Sequence, residues 1–155
     1  MNRERTMLAR ALREAFGSRD TIGLLGTAFA QRTASDAILS RKVSRSEYAL
    51  QLRTSLVAVN SHGLDGSGGF KVGESLAAGC AIVSQPFKFE MPVPLEEGRN
   101  FLSFESAAEC VEQCRYLIDN PDKTAQMRTE NLKYYHRHVK PASIARWIIT
   151  GTFDT

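Results

Sequence analysis

The sequence predicts an α/β domain, a parallel sheet flanked by helices with a helical C-terminal part. Three observations carry that prediction. SLVAVN at residues 55–60 and CAIVSQ at 80–85 are apolar runs of strand length. Between them stand a turn-rich loop, SHGLDGSGGF, and a helix-like stretch, KVGESLAAG, and this alternation with short connections is the pattern of a parallel sheet. Finally, 155 residues of which 43% are hydrophobic and 24% charged suffice for one domain with a buried core.

The elements follow in order. Residues 1–16 read as a surface helix with Leu8, Leu12, Ala15 and Phe16 inward, ended near Gly17. Its arginines suit an organelle-targeting peptide, but Glu4 and Glu14 do not. TIGLLG at 21–26 predicts a short strand, and 27–45 reads either as loop or as loop with an extended piece from Ile38 to Val43. Ser46–Arg53 predicts a Ser-capped helix, and 55–60 a strand apolar enough to be buried on both faces. Gly79 stops the next helix, and Pro86 breaks the strand after it. A short strand at Asn100–Phe104 precedes a helix opened by a Ser106/Glu109 capping box. Asn120-Pro121 starts another helix, with Ala125, Leu132, Tyr135 and Val139 inward and Pro141 closing it. Ser143–Thr150 completes the set, with Ile144, Trp147 and Ile148 on one side.

Charge and cysteine usage narrow the function. Residues 1–53 hold ten Lys/Arg against five Asp/Glu, and residues 54–155 hold ten against twelve. The basic front permits anionic partners, but without interleaved aromatics or a reading module it is better explained as solvated surface, and no nucleic-acid partner is expected. No run is long and apolar enough to span a bilayer, and no secretory signal opens the chain, so a cytoplasmic location is expected. Cys80, Cys110 and Cys114 are an odd number, against a disulfide framework. Cys110 and Cys114 lie on an apolar stripe with Ala107, Val111, Leu117 and Ile118, so they are expected in the core rather than on a metal. His136 and His138, two apart on a helix, cannot chelate together and are expected at the surface.

The loop SHGLDGSGGFK is the place for a ligand, since such sheets bind ligands beyond the carboxyl ends of their strands. Gly66, Gly68 and Gly69 let a ligand approach the backbone, and a helix starting near Gly69 offers unpaired N–H groups to a phosphate. Lys71 in the first turn reads equally as an anion partner or as a surface lysine paired with Glu74. Glu74 has small helix neighbours, Gly73, Ala77 and Ala78, which leave room for a ligand or another segment, and its carboxylate suits ribose hydroxyls. His62 reads equally as a sugar or phosphate contact and as an ordinary loop histidine. GSGGFK matches neither the dinucleotide glycine pattern nor the P-loop.

The run from Ser55 to Val83 resembles the C-terminal, donor-binding domain of GT-B glycosyltransferases of the group 1 class. Glu74, Ala77, Ala78, Gly79 and the strand Ala81–Val83 match that family in order and spacing, and EEGRNFLSF, the ECVEQC helix and the NP that follows extend the similarity over about residues 45–145. The resemblance implies a single Rossmann-like nucleotide-sugar-binding domain over residues 1–155. It implies a nucleotide-diphosphate sugar as donor, with no other cofactor and no required metal, and transfer of its glycosyl unit to a hydroxyl of an acceptor glycan or other compound, often in polysaccharide assembly. Glu74 would hold the ribose, and His62, Ser67, Gly68, Gly69, Phe70 and Lys71 would complete the substrate-binding set. The position eight residues before Glu74, glutamate in many members, is Gly66 here. Family members also have an N-terminal acceptor domain and a leading strand with basic diphosphate contacts, both of which would precede Met1. A fragment, a misassigned start or one part of a split enzyme is therefore expected, working with a separate acceptor domain and peripheral, if anything, to the inner membrane face. A non-catalytic nucleotide-binding or interaction module of the same fold is the alternative.

Overall fold

The computed structural model describes residues 2–17, 22–63, 69–88 and 91–153. Three strands, β1 (Val57–Asn60), β2 (Ala81–Ser84) and β3 (Phe101–Ser103), form a parallel sheet in the order β1-β2-β3. Helices cover both of its faces, a Rossmann-like arrangement. On one side lie α1 (Asn2–Phe16) and α5 (Ala107–Asp119), where Leu8, Cys110, Cys114 and Leu117 meet Ala81 and Val83. On the other lie α4 (Gly69–Ala77), α6 (Pro121–Tyr134) and a π-helical segment (Tyr135–Val139), where Val72, Leu76 and Tyr134 meet Ile82 and Phe101. The chain is completed by α2 (Ala28–Thr33), a 3-10 turn at Ser35–Ala37, α3 (Arg45–Thr54) and α7 (Pro141–Thr150).

Every residue of β2 is buried, as a central strand must be. β1 is not buried on both faces as its composition predicts: burial alternates along it, with Ala58 and Asn60 covered and Val57 and Val59 only partly so. The reason is position. β1 is an end strand, and among the described residues no other strand pairs with its outer side. Leu56 O and Asn60 O accept from β2, so by the alternation of a parallel ladder the backbone groups of Val57 and Val59 point to the open edge.

TIGLLG does not make a strand. Its described part forms a single parallel bridge, Leu24 to Ile38, beside which Arg13 donates to the carbonyls of Ile22 and Ile38 at 2.8 Å each and to that of Asp36. Gly23 is required there, since a Cβ would stand 2.7 Å from a guanidinium nitrogen of Arg13 and 3.0 Å from Ala37 O. α3 opens on a full capping box between Ser44 and Glu47. α5 opens on Ser106, whose hydroxyl accepts from Glu109 N, while the Glu109 carboxylate accepts from Glu105 N.

The inward face of α6 also differs from expectation. Thr124, Met127, Asn131 and Tyr134 are buried, whereas Leu132 is 41% exposed. Asn131 explains the shift: its amide donates to Cys80 O (2.8 Å) and Asn100 O (2.9 Å) and accepts from Asn100 Nδ2 (3.1 Å), tying α6 to the starts of β2 and β3. The three cysteines are free and buried, as expected of core residues. His138 is not a surface residue. It packs between Tyr134 and Phe153 with Nδ1 buried and unpartnered, and burial together with Arg137 lowers its pKa.

Candidate functional site

β1 and β2 run parallel, so the turns that follow them leave the same edge of the sheet, and those turns are fastened together. His62 N donates to Gln85 Oε1 at 2.8 Å, and the His62 ring donates from Nε2 to Pro86 O at 2.5 Å. Because a carbonyl oxygen only accepts, this bond places a proton on Nε2. His62 therefore serves first as a fastening between the turns.

α4 rises from this edge. Its start is anchored from within, since Ser75 Oγ donates to Lys71 O at 2.8 Å and buried Asn60 of β1 donates to Ser75 Oγ at 3.4 Å. The first turn of α4 leaves the N–H groups of Gly69, Phe70 and Lys71 without partners inside the helix. Phe70 is 92% exposed, an unusual placement for a phenylalanine. Ser67 and Gly68 lie outside the described residues, as does Gly66.

Lys71 and Glu74 stand one helical turn apart, yet no ion pair joins them among the described residues, which removes the simple surface-pair reading. Instead Lys71 lies close to a second cation. Partial burial of its ammonium and the charge of Arg5 both lower its pKa, against a smaller opposing pull from Glu74. Arg5 comes from α1 and is itself held, with Nε donating to Ser61 Oγ (3.1 Å) and a terminal nitrogen to His62 O (2.8 Å). Arg5, fastened to the turn after β1, and Lys71, in the first turn of α4, bring two positive charges to this edge of the sheet, where an anion would relieve their repulsion.

Glu74 has company as well. Tyr48 of α3 is partly buried, and its hydroxyl interacts with the Glu74 carboxylate. Burial first, then that negative charge and hydrogen bond, raise the Tyr48 pKa. A Cβ on Gly73 would meet Val139 of the π-helical segment at 3.8 Å, an ordinary van der Waals contact, so the chain itself lies beside this face of the helix without requiring glycine there.

Of the predicted residues, Lys71 and Glu74 are thus brought together at the sheet edge beside His62, Gly69 and Phe70. Sequence reasoning missed Arg5 and Tyr48, which reach the site from distant helices. Arg5 precedes buried Leu8 by about one turn, a hint that its face of α1 looks inward, whereas nothing local marks Tyr48. An open cleft of about 340 Å³ lined by Thr129, Leu132, Lys133, His136 and Arg137 lies elsewhere, on α6 and the π-helical segment, and shares no residue with this cluster.

Residues 3–150 match the family described as glycosyl transferase-like, which is nearly the whole chain. No curated protein matches the sequence.

Proposed function

Because the chain belongs to the glycosyl transferase-like family, we propose that this edge of the sheet binds a nucleoside-diphosphate sugar and that the enzyme passes its glycosyl unit to an acceptor hydroxyl. The observation that carries the reading is the pair of cations, Arg5 and Lys71, beside the open first turn of α4, with the Glu74 carboxylate one turn farther on. In transfer, the bond from the anomeric carbon to the diphosphate oxygen breaks and a bond to the acceptor oxygen forms, while the acceptor's proton passes to solvent. Negative charge grows on the departing nucleoside diphosphate. Arg5, Lys71 and the amides of Gly69 and Phe70 supply the stabilisation that this charge needs. Glu74 accepts the ribose hydroxyls, Phe70 covers the donor from the solvent side, and His62 borders it. In this reading the chain is the donor half of a GT-B enzyme, and the acceptor glycan or other hydroxyl compound is presented by a separate N-terminal domain.

The test is a calorimetric titration with UDP, GDP, their sugars and inorganic pyrophosphate, comparing the native chain with Lys71→Ala and Glu74→Ala. Lys71→Ala should weaken every diphosphate about tenfold or more, as loss of a charged hydrogen bond implies, and Glu74→Ala should weaken only ligands that carry ribose. If no nucleoside diphosphate binds, or if Lys71→Ala binds as well as the native chain, the reading is wrong. Donor binding without transfer to any acceptor would assign the fold to a non-catalytic nucleotide-binding module.

A further inference from the structure

α7 is held to the rest of the molecule at few points. Ser143 and Trp147, one turn apart, are the only residues of the helix that are even partly buried. Ser143 Oγ donates to His136 O at 2.8 Å. Trp147 is reached by the chain that follows α7. Gly151 caps the helix at φ +73°, the left-handed conformation that suits glycine, and turns the chain back. Phe153 then lies parallel to the Trp147 ring with centroids 5.6 Å apart. Phe153 in turn meets His138 edge to face at 4.9 Å, and His138 meets Tyr134 of α6 at 4.9 Å. Four rings thus run in series from α7 to the core, and the imidazole is the link through which the last two join it.

That link is built to be neutral. His138 Nδ1 is buried and has no hydrogen-bond partner. A neutral ring tolerates this, because it carries one proton and its other nitrogen can stay bare. The imidazolium does not, because both nitrogens must then donate, and a charged donor withdrawn from water without an acceptor is costly. The surrounding charges oppose protonation too. Burial, and then the positive charge of Arg137, lower the His138 pKa below the ordinary 6.5. From Asn131 to Phe153 the sequence has Lys133, Arg137, Lys140 and Arg146 and no Asp or Glu, and α7 itself contributes only Arg146. On the α6 side, Tyr134 donates its hydroxyl to Val93 O, and burial pushes its pKa up to about 12, so it stays neutral. Glu130 is engaged by Lys133 and Arg99, toward α4 the segment presents Val139 to Gly73, and Asp154 lies outside the described residues. We propose that His138 is an acid-operated latch: a proton taken from solvent drives the imidazole out from between Tyr134 and Phe153, and Phe153, Trp147 and α7 come away with it. The docked ring has the lower pKa, so docking is at full strength above about pH 6.5 and weakens by at most about tenfold per pH unit below it. This device does not depend on the donor-site reading.

Trp147 is the single tryptophan, so its emission reports the latch in the full chain. Between about pH 8 and pH 5, a range in which histidine is the side chain that ordinarily titrates, native emission should move to longer wavelength as the indole meets water. The midpoint should be that of one proton and lie below 6.5. The His138 ring signals in proton NMR should titrate at the same midpoint, while the Ile82 and Val83 amides of the central strand keep their protection from exchange. His138→Phe keeps a ring in the series and takes up no proton, so its emission should stay constant over the range. Asp154→Asn should leave the native midpoint where it is. Native emission that does not change, a transition that survives in His138→Phe, or one that vanishes in Asp154→Asn each overturns the proposal. So does a His138 midpoint at or above 6.5, which would mean that the neighbouring rings hold the cation. If His138→Phe fails to fold, the native titration still decides: a His138 ring that takes up its proton with no change at the Trp147 indole rules the latch out.

Discussion

The front of the chain, Asn2–Thr54, and the α/β unit behind it, Val57–Val139, are held by different forces. Behind, Leu76, Ile82, Val83, Phe104 and Leu117 are almost wholly withdrawn from water around a buried central strand. In front, among the described residues, the buried apolar side chains are Leu8, which with Leu12 and Phe16 joins the rear core, and four alanines, Ala9, Ala30, Ala34 and Ala37, and α3 buries none at all. Beyond the apolar contacts of α1, much of the cohesion there comes from guanidinium groups. Arg13 holds three backbone carbonyls, Arg10 pairs with Asp36 through two bonds of 2.7 and 2.8 Å, and Arg5 reaches Ser61 and His62. Three of the ten basic side chains that read in the sequence as solvated surface are thus fastenings between segments. The partners are mostly main-chain oxygens, which no composition displays.

The comparison is sharpened most by Asn131. Polar bonds should be worth more in the rear unit, where water cannot replace them, so Asn131→Ala should lower stability by about 3 kcal/mol, leaving Cys80 O and Asn100 unsatisfied. Urea unfolding measures it, and a loss under ~1 kcal/mol would mean that apolar packing alone holds the rear. Arg13→Met should cost less, about 1–2 kcal/mol, because its bonds lie closer to water. The loss should also be local, with the Leu24 and Leu39 amides exchanging faster while those of Ile82 and Val83 keep their protection. Equal loss in both regions breaks the distinction.

The smallest effect is in acid. Lys133 and then Arg99 hold the Glu130 carboxyl down to about 2, and the backbone N–H and hydroxyl of Ser44, then Arg41, hold that of Glu47 to about 2, against an ordinary 4.5. Both folded values lie below the unfolded one, so each contribution is complete above about pH 4.5 and fades as pH falls toward 2. Glu47→Gln and Glu130→Gln should therefore shift the urea midpoint slightly at pH 6, and those shifts should vanish near pH 2. The exposed partners, Arg41, Arg99 and Lys133, keep them small. A shift that persists in acid would trace the effect to packing instead of charge.

How much was legible follows from where each signal sits. The β1–α4–β2 unit was readable because its strands are unbroken apolar runs and Gly79, at φ +62°, ends the helix between them. The inward face of α6 was not, because Thr124 and Asn131 occupy core positions with polar side chains whose partners lie on other elements. TIGLLG reads as a strand but gives only one bridge, since its neighbours are carbonyls turned toward Arg13. In the site, Lys71 and Glu74 share one helix and could be found together. Arg5 and Tyr48 arrive from α1 and α3 by tertiary packing that local sequence does not encode.

A lysine with a lowered pKa keeps more of its amine unprotonated at neutral pH than an ordinary surface lysine does, and only the unprotonated amine attacks electrophiles. Lys71 is therefore the side chain that acylating reagents should modify ahead of its counterparts at the surface. A phosphate bound beside Lys71 would favour the protonated amine and silence that nucleophile, so its chemical reactivity doubles as a gauge of occupancy.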